Sequence, residues 1–137
     1  MVPLTLNGTP AVTTTWITQK TLSKRELIRE EMRKRETLYG EFIGECGKLL
    51  MDALTHTLEN PETLLACYAL INRIRLCASD AVLAEAEHAL MRITEQYFST
   101  NLTLDELRDL ARSEDADPLK AFGQACRAEL KSMRAQV

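Results

Sequence analysis

One stretch without a proline, from Ser23 to Glu59, constrains the fold of this chain more than any other feature. Strong helix formers dominate it, and its charged residues give way to apolar ones toward its end. Such a pattern predicts a single long helix. The segments downstream are shorter and amphipathic, so we expect them to pack against the second half of this long helix.

The composition limits the chain to one helical domain. At 137 residues it is long enough for one core and too short for two. Residues that form turns are scarce, with five Gly and four Pro, and aromatics make up only 5%, which favours an all-α fold. The net charge of −3 argues against a nucleic-acid partner. No apolar run reaches the roughly 18–20 residues that span a bilayer, so we expect no membrane insertion.

The first twelve residues differ from the rest, because they contain two prolines and the Asn7-Gly8 pair. We therefore expect a flexible leader over residues 1–12 and a single helical domain over residues 13–137. Within that domain, residues 13–38 are expected to form a charged stalk, and residues 39–137 the bundle core.

The start of the long helix has two candidates. It can begin near Thr15, just after the leader. It can also begin at Ser23, because Ser23 and Glu26 have the spacing of a capping box. The sequence does not choose between them.

The stalk carries charges of both signs on most of its faces and only a thin apolar stripe. One interpretation is a helix that stands in solvent and is stabilised by its own ion pairs. The other is a helix that pairs with a second copy of the chain along the stripe. We predict self-association, most simply as a homodimer, and the residues expected to carry it are Trp16, Ile17, Ile28, Met32 and Tyr39.

After Tyr39 the apolar stripe becomes wide, as for a helix that packs on several neighbours. Its members are Phe42, Ile43, Cys46, Leu49, Leu50, Ala53, Leu54 and Leu58. Gly40, Gly44 and Gly47 share one flank, and each costs about 0.5–1 kcal/mol relative to Ala in a helix interior. They indicate either the close approach of another helix or weak positions that the fold tolerates.

Local signals divide the remainder into four helices. The second is expected from Pro61 to about Ala78 after Asn60 as N-cap, the third opens at Ser79-Asp80, a short one opens with the Thr103–Glu106 capping box, and the last follows Asp117-Pro118. The predicted fold class is therefore all-α: a helical bundle of four main helices plus one short helix, built on the long N-terminal helix.

Patterns that would indicate catalysis or metal binding are weak. Glu85 and His88 have the E-x-x-H spacing of half a di-iron site, but the chain has only one other histidine, His56, and the second half is missing. The four cysteines have no metal-ligand spacing and fall on apolar helix faces, so we expect buried, reduced thiols. They are Cys46, Cys67, Cys77 and Cys126. We predict no catalytic residue, no metal site and no cofactor, and hence a protein that is not an enzyme.

An alternative function is that of a small-molecule-binding or regulatory bundle. Such a protein needs an apolar pocket between its helices. The aromatic residues that we expect to line it are Tyr39, Phe42, Tyr68, Tyr97 and Phe122. A roomy cavity at these residues would favour this interpretation, and a filled core would oppose it.

Three motifs in the chain are distinctive. They are R-x-x-L-Y-x-x-F-I at residues 35–43, Y-A-L-x-x-R-I-R-L at residues 68–76 and F-x-x-A-C-R-x-E-L at residues 122–130. With these motifs the chain resembles a group of small uncharacterised bacterial proteins, and the similarity extends roughly from Thr13 to the C-terminus. In that group an N-terminal membrane-spanning segment commonly precedes the charged helix, and the bundle lies on the cytoplasmic side.

The resemblance implies a cytoplasmic helical domain and supplies no catalytic residues. This chain departs from the group at its start, because residues 1–12 cannot span a membrane. We therefore expect a soluble, cytoplasmic protein that reaches a membrane only through partners. The prediction for function is a non-enzymatic helical interaction or assembly module, which binds a second copy of itself and a protein partner that the sequence does not name.

Overall fold

The computed structural model describes residues 2–55, 61–99, 103–113 and 117–137, with side chains from Thr15 onward. These ranges contain five α-helices and no strand, which confirms the predicted all-α class. The helices are α1 (Val2–Leu54), α2 (Pro61–Cys77), α3 (Asp80–Gln96), α4 (Leu104–Arg112) and α5 (Lys120–Arg134).

The long helix begins earlier than the sequence predicted. Its backbone is helical from Val2, so the expected flexible leader and both candidate starts fall inside α1. Pro3 lies in the first turn of α1. Backbone N–H groups in a first turn have no acceptor within the helix, so the N–H that proline lacks costs no helical hydrogen bond. At Thr21 the hydroxyl donates to the Ile17 carbonyl at 3.0 Å, as in a continuous helix. A helix that continues through Ser23 needs no cap there.

The second and third helices begin where local signals predicted. Pro61 is the first residue of α2, as its fixed φ favours, while Asn60 lies outside the described residues. Ser79 is the N-cap of α3, and its hydroxyl accepts the Val82 N–H at 3.4 Å. A single residue, Ala78, lies between the end of α2 and this cap. The chain therefore turns sharply from α2 into α3.

The fourth helix follows its predicted cap, and the fifth follows Asp117-Pro118, although its N-cap residue, Leu119, makes no side-chain cap. Thr103 and Glu106 form the predicted capping box, each side chain accepting a backbone N–H of the other. The final helix starts at Lys120, two residues after Pro118, and the Asp117 carboxylate accepts the Leu119 N–H at 2.9 Å. Capping depends on residues three or fewer positions apart, which is why the sequence alone predicts it.

Four helices share one core. Helices α2 and α5 each pack on both α1 and α3, and α1 also packs on α3. Within the described ranges, no Cα atom of α4 lies within 8 Å of a Cα atom of another helix. The buried residues of the core are Leu38, Tyr39, Phe42, Cys46, Leu49, Ala53, Cys67, Leu70, Ile71, Ile74, Val82, Ala86, Ile93, Phe122 and Cys126.

Aromatic rings fill the contact between α1 and α5. The ring centroids of Phe42 and Phe122 lie 4.8 Å apart with planes at 67°, and those of Tyr39 and Phe122 lie 6.0 Å apart at 82°. Both are edge-to-face arrangements, which the aromatic quadrupole favours. All three residues are buried. This part of the core is packed with side chains and is not a pocket.

The core extends further toward the N-terminus of α1 than predicted, into the residues 13–38 that were assigned to the stalk. Met32 and Leu38 are buried although both were assigned to the stalk. Arg35 lies between them and contacts α5 directly. The part of α1 that projects from the bundle therefore ends near Ile28, about ten residues before the position that the charge pattern indicated.

The glycine flank of α1 makes no close contact with the part of the chain that the structure describes. A Cβ atom added at Gly40, Gly44 or Gly47 would meet no atom within 4 Å. Close approach of another of the described helices therefore does not explain these glycines. The sequence offered two interpretations of these glycines, a close helix contact or weak positions that the fold tolerates. The second fits the isolated chain.

Replacing Gly44 with Ala should stabilise the protein. The added methyl group meets open space, while alanine lowers the backbone entropy of the unfolded chain, so we expect the free energy of unfolding to rise by about 0.5–1 kcal/mol. Urea unfolding followed by circular dichroism measures it. Gly47→Ala is the matched control, and a loss of stability at either position would show that something not seen here packs against this flank.

Within the described residues, none of the helices contains a segment that is both long and apolar enough to cross a membrane.

Candidate functional site

A polar cluster joins α1, α3 and α5 at the edge of the core. Glu129 on α5 lies at its centre, and its side chain is only 8% exposed. The Arg35 guanidinium donates to Glu129 Oε1, and the Tyr39 hydroxyl donates to the same oxygen at 2.7 Å. The backbone N–H of Ser79 donates to Glu129 Oε2 at 3.0 Å. Arg35 Nε also donates to Glu31 Oε1 at 3.0 Å, which completes the cluster.

The cluster holds its groups in fixed protonation states. Burial by itself raises the pKa of Glu129, but the hydrogen bonds from Ser79, Tyr39 and Arg35 outweigh it and leave this pKa below its usual value. Burial, and then the hydrogen bond to Glu129, raise the pKa of Tyr39. A carboxylate that accepts three hydrogen bonds can stay ionised next to a core. The arrangement suits a structural clamp between three helices.

Sequence reasoning missed this cluster, although one signal was present. Along α5 the inward face follows steps of four and three through Phe122, Cys126, Glu129 and Met133, so a carboxylate occupies a position of the apolar stripe. Arg35 likewise occupies the inward face of α1, between Met32 and Tyr39. Opposite charges at inward positions of two helices predict a buried pair once those helices are known to be neighbours.

The stability of the protein should depend on pH through Glu129. Because its pKa is lower in the folded chain than in the unfolded one, its contribution is full above about pH 5 and is lost as the pH falls through the folded pKa. We expect the stability difference between the native protein and Glu129→Gln to shrink as the pH falls below about pH 5. Urea unfolding at each pH measures it. A difference that stays constant would contradict the assigned ionised state.

The N-terminal segment of α1 from Thr15 to Leu27, here called the exposed segment, is the second notable surface. Every side chain in it is exposed. Four of these are large and apolar, namely Trp16, Ile17, Leu22 and Leu27, and Leu27 is 70% exposed. The ammonium group of Lys20 lies 5.1 Å from the centre of the Trp16 ring, which is a cation–π contact.

The five residues predicted for self-association divide into two groups. Trp16 and Ile17 are exposed, at 60% and 53%, and Ile28 is half-buried. Met32 and Tyr39 are buried within the chain's own bundle, with Tyr39 in the polar cluster. A second copy could reach these two only if the bundle opened. The surface available for self-association therefore consists of Trp16, Ile17 and part of Ile28. It lies nearer the N-terminus of α1 than the five predicted residues indicated.

The five aromatic residues predicted to line a pocket do not surround a common cavity. Tyr39, Phe42 and Phe122 are in contact inside the core, whereas Tyr68 is 60% exposed on α2. The Tyr97 hydroxyl donates to Asp52 Oδ2 at 2.7 Å and so ties α3 to the end of α1.

Open grooves lie elsewhere on the surface. One of about 450 Å³ separates the end of α1 from α4, with aliphatic residues on both walls and Lys120 at its edge. Its aliphatic lining consists of Leu50, Leu54, Leu107, Leu110 and Ala111. Another of about 590 Å³ follows the contact of α1 and α5, where Gly40 and Gly123 line it together with Arg127 and Lys131.

The Glu85–His88 pair on α3 is an exposed contact within one helix. His88 Nδ1 lies 3.8 Å from Glu85 Oε2, one turn away on the same helix. No group of three metal-binding side chains occurs among the residues that the structure describes. The other histidine, His56, lies outside the described residues.

The cysteines are free thiols, as the sequence predicted. Cys46, Cys67 and Cys126 are buried, and Cys77 is half-buried. Burial raises the pKa of Cys126 to about 12. A thiol with so high a pKa is protonated near neutral pH and is a poor nucleophile.

No protein-family model matches this chain, and neither a curated protein nor a solved structure is similar to it.

Proposed function

We propose that this protein is a helical assembly module that associates with a second copy of itself through the exposed segment of α1. One observation carries the proposal: all described side chains from Thr15 to Leu27 are exposed, and four of them are large and apolar. The segment corresponds to roughly 20 Å of helix that no other described element covers. A surface of this kind is typical of a helix that has a partner in its working state.

The stability of isolated helices supports the same conclusion. A helix of this length without tertiary contacts is marginal in water, because most helical stability in proteins comes from packing of an apolar face. Covering one leucine or isoleucine side chain contributes about 1.5–3 kcal/mol. A helix from a second copy laid along Trp16, Ile17 and Leu27 would supply such contacts twice, since each copy covers the other.

The charges of the exposed segment predict how this association responds to salt. Lys20, Lys24 and Arg25 are opposed only by Glu26, so the segment carries three positive charges and one negative, a net of +2. Two copies side by side therefore repel each other at low ionic strength. Salt screens charges separated by more than about 10 Å at 0.1 M. We expect association to tighten as the salt concentration rises.

Sedimentation velocity over a range of protein concentrations tests the proposal. We expect the native protein to form a dimer at micromolar concentration, and Trp16→Glu combined with Ile17→Glu to raise the dissociation constant at least about tenfold, since two apolar contacts per copy are replaced by charge. The matched control is Leu76→Glu combined with Phe98→Glu, which adds the same charge to apolar residues that are exposed on α2 and just beyond α3. A native protein that stays monomeric at high micromolar concentration would refute the proposal.

A truncated chain that starts at Ile28 provides a second comparison. It removes the exposed segment and keeps Met32, Arg35 and Tyr39, which belong to the core and the polar cluster. We expect it to sediment as a monomer with the helical circular dichroism of a folded bundle. The alternative function, a small-molecule-binding bundle, has weaker support because the five aromatic side chains expected to line a pocket lie in separate places.

A further inference from the structure

Two cysteine thiols meet inside the contact between α1 and α2. The sulfur atoms of Cys46 and Cys67 lie 3.7 Å apart. Neither residue has any solvent exposure. The two belong to different helices and are separated by 20 residues of chain, so a bond between them would close a loop that contains the whole α1–α2 connection.

The two thiols differ in acidity. The hydrogen bond to Cys67, together with burial, raises the pKa of Cys46. As the acceptor of that hydrogen bond, Cys67 has a pKa below its usual value. The thiolate is the attacking form in thiol–disulfide exchange, so the sulfur that an oxidant reaches must first lose its proton.

The two sulfurs must move closer before a bond can form between them. A disulfide has an S–S length of about 2.05 Å, so the two atoms must close by about 1.7 Å. Small residues flank the pair, with Gly44 and Gly47 on α1 and Ala66 next to Cys67 on α2. A Cβ atom at either glycine would meet nothing within 4 Å. The glycine flank of α1 therefore does not obstruct such a movement.

We infer that Cys46 and Cys67 are a latent disulfide site, which a small-molecule disulfide oxidant closes to clamp α1 onto α2. In the first step the thiolate of one of the two cysteines attacks the oxidant, forms a mixed disulfide and releases one thiol. In the second step the sulfur of the other cysteine attacks the first sulfur, loses its proton to solvent and releases the second thiol. Two protein thiols are oxidised, and one oxidant disulfide is reduced to two thiols.

The burial of both sulfurs determines when the reaction occurs. An oxidant reaches either sulfur only when α1 and α2 separate locally, so the bond should form slowly in the folded protein. Once formed, it removes loop-closure entropy from the unfolded chain and should resist reduction better than an exposed disulfide. The clamp is independent of the association proposed above, because neither cysteine lies in the exposed segment.

Peptide mapping of the intact protein tests this inference. The folded protein is incubated with bis(2-hydroxyethyl) disulfide, free thiols are then blocked with iodoacetamide in denaturant, and the digest is analysed without reductant. We expect a cross-linked peptide that joins Cys46 to Cys67, alkylation of Cys77 and Cys126 only, and complete reversal by dithiothreitol. Alkylation of both Cys46 and Cys67 would overturn the inference, as would pairing of either one with another cysteine.

A thermal measurement tests the clamp separately from the bond. We expect the oxidised protein to unfold roughly 5 °C or more above the reduced one, with the shift abolished by dithiothreitol. Cys126→Ala is the control that should keep both the cross-link and the shift. Cys67→Ala should lose both, and an oxidised protein that melts at or below the reduced one would show that the bond strains the helices and does not clamp them.

Discussion

Replacing Glu129 with Ala should lower the free energy of unfolding by about 3 kcal/mol. The substitution removes the acceptor of three hydrogen bonds at once, from Arg35, Tyr39 and the backbone of Ser79. Each buried donor left without a partner costs about 1–3 kcal/mol. Arg35 retains Glu31, which limits the loss. Urea unfolding at low protein concentration, where association contributes nothing, measures the effect.

The control for this prediction is Glu87→Ala. Glu87 also pairs with an arginine, Arg75, at 3.1 Å, but both side chains are about half exposed. An exposed ion pair contributes below about 1 kcal/mol, so this substitution should change stability little. If the two variants lost similar amounts, the role of Glu129 as a buried link between helices would be wrong.

Replacing Phe122 with Ala should have an effect of similar or greater size, about 3–5 kcal/mol. Phe122 has no solvent exposure and contacts the rings of both Phe42 and Tyr39. Its removal leaves a cavity at the contact of α1 and α5, and it also removes two edge-to-face ring contacts. The same unfolding measurement applies, and helical circular dichroism at low temperature shows whether the variant still folds.

Phe98→Ala is the matched substitution outside the core. The Phe98 side chain is 91% exposed, so its loss should change the free energy of unfolding by less than about 0.5 kcal/mol. A large loss at Phe98 would indicate that an unseen partner or a second copy covers this residue. Equal effects at Phe98 and Phe122 would contradict the burial that distinguishes them.

The prediction of helices from sequence succeeded where the signal was local. Pro61, Ser79 and the Thr103–Glu106 capping box each start a helix as predicted. It failed for the start of α1, because the capping box at Ser23 competes with simple continuation of the helix. A cap satisfies N–H groups that lack helical partners, and a helix that arrives from upstream already satisfies them.

The candidate sites were harder to predict than the helices. Trp16 and Ile17 are exposed as a self-association surface requires, yet Met32 and Tyr39 belong to the core. All four residues look alike to a periodicity argument, since each is apolar and lies on a charged helix. What separates them is whether another helix covers that turn of α1. Tyr39, for example, contacts Phe122 and Glu129 on α5, more than 80 residues later. Burial is therefore a property of helix packing and not of local pattern.

The sequence by itself determined the all-α class, the number of helices and most of their starts. These features depend on the composition and periodicity of short segments, and on caps between residues a few positions apart. Only the tertiary structure decided where α1 stops projecting and joins the bundle, and that Arg35 and Glu129, 94 positions apart, share a hydrogen bond. The reason is that such contacts require knowledge of which helices are neighbours, and no short segment contains it.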